Sequence, residues 1–132
     1  MEEAQRAAVS PAAIARFCCG DTGRRLLAAD TVRREWPFNV MMRMSEALLP
    51  EEQGAQAERE ILVQGAIDCC FVENGKWVLL DYKTDSASDI AGALERHRPQ
   101  IELYAQALSG ITGIPVRERA IYLVRAGAGY QV

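Results

Sequence analysis

Two apolar runs, residues 61–72 and 77–83, are separated by the dipeptide Asn74-Gly75, and this arrangement constrains the fold more than any other feature of the sequence. Asn-Gly is the preferred central pair of a type I′ turn, whose backbone twist matches that of two antiparallel strands. The sequence therefore predicts a β-hairpin in which Glu73 lies opposite Lys76.

The predicted register brings two acidic side chains together inside this apolar hairpin. Asp68 faces Asp81, and Lys83 shares the face of Asp81, with Ala66 opposite it, because side chains alternate along a strand. Like charges directly opposite each other destabilise a sheet, and a desolvated carboxylate is costly unless it is neutralised. A divalent cation such as Mg²⁺ or Mn²⁺, which prefers oxygen ligands, would remove this conflict.

Two interpretations of these acids follow from the spacing alone. In the first, Asp68 and Asp81 bind a metal ion, and Lys83 supplies a fixed positive charge near a developing anion. In the second, the acids form a structural ion cluster with Lys83 or with arginines, or lie at the solvated end of the sheet. Spacing leaves both interpretations open.

Two polar residues later in the chain have the same ambiguity. Gln100 and Tyr104 are four residues apart, so a helix would place them on one face, where both could hydrogen-bond a substrate backbone. They could equally form a half-buried packing face. We expect Glu35 and the one histidine, His97, to be solvated surface residues.

The remaining pattern predicts one α/β domain with the order α, β, β, β, α, β. A helix is expected over residues 10–19, because Ser10 is a good N-cap and Pro11 suits the first helical position. A short helix should begin within residues 21–30. The next strand, residues 31–42, contains Pro37, which indicates an edge or bulged strand.

The second half of the chain is expected to begin with a loop, residues 50–60, before the hairpin. After a loop at residues 84–88, a helical pattern is interrupted by Pro99, which is most easily placed at the start of a second helix ending near Gly110. Residues 120–127 then predict a further strand.

Composition excludes several classes of function. The net charge of −3 gives no overall basic signature, so any nucleic-acid contact must come from local arginines, of which the candidates are Arg24, Arg25, Arg33 and Arg34. The adjacent pairs Cys18-Cys19 and Cys69-Cys70 lack metal or redox spacing, and we expect them to be reduced and buried. No apolar segment predicts export or a membrane span, so the expected location is the cytoplasm.

Four motifs together carry a resemblance to a known family. They are GAID at residues 65–68, DYKTD at 81–85, QIELY at 100–104 and REWPF at 34–38. Their combination resembles the nuclease domain of the RecB and AddA helicase-nucleases, in the PD-(D/E)XK, restriction-endonuclease-like superfamily. The resemblance implies a mixed sheet flanked by helices and a Mg²⁺-dependent deoxyribonuclease that processes double-strand breaks for recombinational repair.

The resemblance also implies roles for individual residues. Asp68 and Asp81 would bind the catalytic Mg²⁺ or Mn²⁺, with help from the carbonyl group of Tyr82. Lys83 would orient the attacking water and stabilise the transition state.

Further roles and partners are implied in the same way. Gln100 and Tyr104 would support the site and the DNA strand, and Glu35 would lie at its margin. The implied partners are DNA, a helicase portion of the same polypeptide and a second subunit of the complex.

One departure from the family pattern changes what we expect of the chain. Such domains carry a metal-binding histidine in a helix upstream of the REWPF-like strand, and no histidine precedes Glu35 here. We therefore expect residues 1–132 to be a single nuclease domain from the C-terminal end of a larger subunit. No GxxxxGK[ST] loop occurs in these residues, so they would not hold the ATPase. The alternative function is a catalytically silent DNA-binding or subunit-docking module with the same fold.

Overall fold

A computed structural model describes residues 10–43, 45 and 58–132 of this chain. The described elements, in chain order, are α1 (Pro11–Cys19), α2 (Asp21–Ala28), β1 (Val32–Arg43), β2 (Glu60–Glu73), β3 (Lys76–Lys83), α3 (Ile90–Thr112), β4 (Val116–Leu123) and β5 (Ala128–Gln131). The strands form one sheet in the order β1-β2-β3-β4-β5. Of these described strands, only β3 and β4 pair in parallel, joined through α3. The predicted α/β fold with a mixed sheet flanked by helices is confirmed.

The predicted hairpin forms with the predicted turn. Glu73 pairs with Lys76, and the ladder continues as far as Cys69 and Leu80. Asn74 and Gly75 have positive φ values of 53° and 76°, which a type I′ turn requires. Within the described residues the ladder ends there, so the predicted pairing of Ala66 with Lys83 is wrong.

Two hydrophobic clusters cover the two faces of the sheet. The first lies between the sheet and α3 and includes Ile67, Leu79 and Ile101. The second lies between the sheet and the pair α1–α2 and includes Leu26, Phe71 and Leu80. The central strands are apolar on both faces because helices cover both faces.

The helix α3 is continuous, and the prediction of two helices separated at Pro99 is wrong. Pro99 lies inside a helix of 23 residues that ends at Thr112, where Gly113 adopts a left-handed cap with φ 72°. Proline removes one backbone hydrogen bond from a helix interior. Burial of Ile101 and Leu108 against the sheet holds the helix together on the C-terminal side of the proline.

The last predicted strand is displaced, and one strand was not predicted. β4 begins at Val116, four residues before the expected start, and residues 124–127 form a turn instead of continuing it. The strand β5 that follows is only four residues long and half polar. Such a short segment gives little periodicity to read. No helix in the described part of the chain is long and apolar enough to cross a membrane.

The cysteine prediction is correct for one pair and wrong for the other. All four cysteines are free thiols, and Cys69 and Cys70 are buried. Cys18 is half-buried and Cys19 is exposed, because α1 turns only one face, which includes Phe17, towards the sheet. The predicted loop at residues 50–60 lies mostly outside the described residues.

Candidate active site

Asp81 is the one buried charged residue of the described chain, and it lies near the end of β3 on the face covered by α3. Burial raises the pKa of its carboxyl group to about 7, and a hydrogen-bonding contact with the carboxyl group of Asp68 raises it further. The positive charge of Lys83 acts in the opposite direction. The two aspartates are therefore adjacent, as the hairpin register predicts.

One oxygen of this carboxyl group is incompletely satisfied. Asp81 Oδ2 is buried and makes no hydrogen bond within the described residues. Lys83 Nζ lies 3.1 Å away, but it is not aligned for a hydrogen bond and donates instead to Gln100 Oε1, at 3.0 Å. A buried carboxylate oxygen without a donor is costly, which is characteristic of a site that holds a ligand.

Residues of α3 complete the polar group around Lys83. Gln100 Nε2 donates to the hydroxyl group of Tyr104 at 3.4 Å, and the Tyr104 ring packs edge-on against Phe38. A Cβ atom at Gly65 would lie 2.6 Å from the Tyr104 hydroxyl oxygen. The glycine of the GAID motif therefore makes room for this tyrosine.

Asp68 lies where the side-chain alternation of β2 reverses. Residues two apart in a regular strand share a face. Yet Ile67 packs in the cluster under α3, whereas Cys69 packs in the cluster under α1 and α2. The strand therefore turns over at Asp68.

The neighbouring strand β1 turns over at the same level. Val32 packs under α1 and α2, and Trp36 packs under α3, although both positions are even-numbered. Between them Glu35 has a left-handed backbone with φ 48°. The pairs on either side of it, Arg34 with Cys69 and Trp36 with Ile67, keep one register. The reversal is thus made by backbone rotation and not by an inserted residue.

The side chain of Asp68 continues the hairpin after the ladder has ended. Asp68 Oδ2 accepts a hydrogen bond from the backbone N–H of Tyr82, at 3.0 Å. An unbroken ladder would instead pair Tyr82 with Ile67. This contact holds the Asp68 carboxylate against the end of β3, beside Asp81.

The residues present fit a divalent cation only in part. Asp68 and Asp81 offer adjacent carboxylates, the ligand type that Mg²⁺ and Mn²⁺ prefer. The ring of Tyr82 packs on the opposite face against Phe17, so only its backbone carbonyl could contribute. Across the described ranges, no group of three or more histidine, cysteine or acidic side chains is arranged to bind a metal.

The last acid of the DYKTD motif has a different environment. Asp85 pairs with Arg96 and His97, each at 2.9 Å. The Arg96 hydrogen bond is the main cause that lowers the pKa of Asp85. These contacts anchor the loop before α3 to the first half of that helix. His97 is therefore half-buried and paired, not a solvated surface residue as expected.

The four arginines considered for nucleic-acid contact are in different environments. Arg25 lies between Glu73 and Glu118 and is not available, so that candidate was wrong. Arg33 packs over the ring of Trp36, and Arg24 is exposed on α2. Arg34 lines a pocket of about 250 Å³ whose other lining residues are Glu35, Asp68 and Tyr82.

Comparison with known proteins identifies similar chains. A family model described as the PD-(D/E)XK nuclease superfamily matches residues 3–131. An ATP-dependent helicase/nuclease protein of Clostridium botulinum (strain ATCC 19397 / Type A) is 37% identical over 119 residues, which cover 90% of this chain and 9% of that protein. The protein of the same name from Geobacillus kaustophilus (strain HTA426) is 40% identical over 132 residues, covering 93% of this chain and 10% of that protein. The chain thus spans about a tenth of the length of these curated relatives.

Proposed function

Because this chain belongs to the PD-(D/E)XK nuclease superfamily, we propose that it is the metal-dependent nuclease domain of an ATP-dependent helicase-nuclease. The observation that carries the proposal is the adjacent pair Asp68 and Asp81, with a buried Oδ2 that has no hydrogen bond within the described residues. The reaction would be hydrolysis of DNA phosphodiester bonds. The complete protein would act in the cytoplasm on double-strand-break ends, and its partners would be a helicase portion and a second subunit.

The proposed metal ligands are the carboxylates of Asp68 and Asp81 and the backbone carbonyl of Tyr82. A bound Mg²⁺ or Mn²⁺ would polarise a phosphate oxygen and lower the pKa of a water molecule. The hydrogen bond from Tyr82 N–H to Asp68 supports this assignment, because it fixes one carboxylate beside the other before any ion binds.

Lys83 would act on the reacting groups and not on the metal. An ammonium group cannot be a metal ligand, but it can orient a water molecule and stabilise a developing anion. Its bond to Gln100 Oε1 holds the ammonium beside the acids. Gln100 is in turn held by Tyr104, so these α3 residues would position the lysine and support the DNA strand.

The second candidate is a catalytically silent module that binds DNA or docks another subunit. It is favoured by one observation, which is that the described residues supply only two carboxylates and no third metal-binding side chain near them. A silent module has no need for an unsatisfied buried acid, however, and would be more stable without it.

Metal titration combined with a cleavage assay tests the proposal. In the complete protein, we expect calorimetry to detect Mn²⁺ binding that Asp81→Asn weakens strongly. We expect the same change to abolish DNA cleavage while the melting temperature stays equal or rises, because burial of a charge is removed. Cleavage by the Asp81→Asn variant at the wild-type rate would exclude this site. Unfolding of that variant would support a structural ion cluster instead.

A further inference from the structure

We propose that Arg34 binds a phosphate group of the DNA strand next to the phosphate that is cleaved. The proposal rests on the proposed function and extends it to the substrate. It assigns a DNA-contacting role to the pocket formed by Arg34, Glu35, Asp68 and Tyr82.

The pocket connects directly with the candidate catalytic centre. Asp68 is one of its lining residues and is also one of the two adjacent acids. The pocket lies on the β1 side of Asp68, whereas Lys83 and Gln100 lie on the β3 and α3 side. A strand that passes over the acids from the α3 side would therefore continue past Arg34.

Arg34 is free to bind an external anion. Its side chain is exposed, and it makes no ion pair with any residue that the structure describes. Arg25, by contrast, is held between two glutamates. The charge of Arg34 lowers the pKa of Cys69 and of Tyr82 below what burial alone would give, which is consistent with a guanidinium group close to this part of the sheet.

Charge balance explains why the site needs a cation here. Asp68, Asp81 and Glu35 would together repel a DNA backbone, and Lys83 is already engaged with Asp81 and Gln100. β1 and β3 lie two strand spacings apart, about 10 Å between backbones. Arg34 is therefore placed for a phosphate one or two nucleotides from the reacting one, and a planar guanidinium can bind it through two hydrogen bonds.

The test couples a change in the protein with a change in the DNA. Single-stranded oligonucleotides carry one uncharged methylphosphonate linkage, and single-turnover rates are measured at each cut site, whose distance from the modified linkage is known. The complete wild-type protein is compared with Arg34→Gln. We expect Arg34→Gln to lower kcat/KM by about 10- to 100-fold on unmodified DNA. At one linkage position, where the methylphosphonate already slows the wild type by a similar factor, the substitution should cause no further loss.

Two variants control for indirect effects. Arg24→Gln removes an exposed arginine of α2 that does not line the pocket, and its effect should be independent of every methylphosphonate. Arg34→Lys keeps the charge and should recover part of the rate. Mn²⁺ affinity and melting temperature should be unchanged in Arg34→Gln, since the arginine is neither a ligand nor part of the core.

The outcomes separate this proposal from the proposed function. Wild-type cleavage combined with additive losses at every linkage would overturn the role of Arg34 alone. A large fall in Mn²⁺ affinity or melting temperature in Arg34→Gln would assign the residue a structural role and also overturn it. If the complete wild-type protein with Mg²⁺ or Mn²⁺ cleaves no DNA, the nuclease function fails, and the phosphate assignment fails with it.

Discussion

The carboxyl group of Asp81 makes the site dependent on pH even before any substrate is present. Its pKa in the folded protein is about 7, raised mainly by burial from a usual value of 3.8. The folded state therefore holds this proton more tightly than the unfolded state does. The group contributes no destabilisation below about pH 4 and its full destabilisation above about pH 7.

From this difference we expect the stability of the metal-free protein to fall by a few kcal/mol between about pH 4 and pH 7 because of Asp81. Urea unfolding at a series of pH values would measure the slope, and Asp81→Asn should remove most of it. Mn²⁺ affinity should rise over the same range and level off above about pH 7, with proton release on binding. A variant that keeps the wild-type slope would show that another group causes it.

Lys83 separates transition-state chemistry from metal binding. Lys83→Ala should leave Mn²⁺ affinity equal or slightly higher, because a positive charge 3.1 Å from Asp81 Oδ2 is lost. Cleavage should nevertheless fall by roughly 10²–10³-fold, the usual scale for one electrostatic stabiliser of a developing anion. Metal titration and single-turnover cleavage on the same variant check both parts. A large loss of metal affinity would mean that Lys83 instead holds the aspartates in place.

Several residue contacts of the site were predictable from the sequence and others were not. The turn at Asn74-Gly75 determines the register, and the register places Asp68 beside Asp81. The bond between Gln100 and Tyr104 follows from helical spacing. The pairing of Asp85 with His97 was not predictable, because it depends on how the loop before α3 folds back onto that helix.

At the scale of the elements, the backbone of Glu35 is the feature on which the acid pair depends. Both β1 and β2 turn over at the level of Glu35 and Asp68, and Glu35 does so with φ 48°. Glycine and asparagine tolerate this conformation, but a β-branched residue does not. The reversal is what directs Asp68 towards Tyr82 and Asp81.

We therefore expect Glu35→Gly and Glu35→Asn to keep the Mn²⁺ affinity of the wild type, and Glu35→Val to lower it by about tenfold or more. The strain of a β-branched side chain at this position is on the order of 1–3 kcal/mol, and the strand can relieve it by losing the reversal. Calorimetric titration with Mn²⁺ measures the effect. Equal affinity in the glycine and valine variants would contradict this role, and loss of affinity in all three would indicate that the Glu35 carboxylate itself is required.

Strand and helix boundaries were predictable only where local signals were strong. Ser10 caps α1 through a side-chain bond to Ala13 N–H, as expected from the sequence. The continuity of α3 through Pro99 was not predictable, because it results from packing against the sheet and not from local propensity. The reversal at Glu35 was also not predictable, because nothing in the alternation of polar and apolar residues there requires a positive φ.

At the scale of the whole molecule, one ion-pair group joins three parts of the fold. Arg25 of α2 pairs with Glu73 at the end of β2 and with Glu118 of β4, at 2.9 and 2.8 Å. Hydrogen bonds to these glutamates are the main cause that raises the pKa of Arg25. This group links α2 to both sides of the hairpin.

We expect Arg25→Ala to lower the free energy of unfolding by about 1–3 kcal/mol, because charge-assisted hydrogen bonds are lost and two glutamates are left close together. Urea denaturation at neutral pH measures the change. Arg24→Ala, the neighbouring exposed arginine, should have little effect and serves as the control. Mn²⁺ affinity should be unaltered, since Arg25 contacts neither aspartate; a parallel loss of affinity would show that α2 also supports the metal site.

The end of the ladder at Cys69 gives the protein a built-in reporter. The amide proton of Tyr82 is held by the Asp68 side chain and not by a neighbouring strand, so its exchange with deuterium depends on how firmly that carboxylate is fixed. An ion bound between the two aspartates would immobilise Asp68 and slow the exchange of this one proton, while the amides of the intact ladder would change little. The isotope content at a single backbone position would then record whether the acid pair is occupied, without any label and without any turnover of DNA.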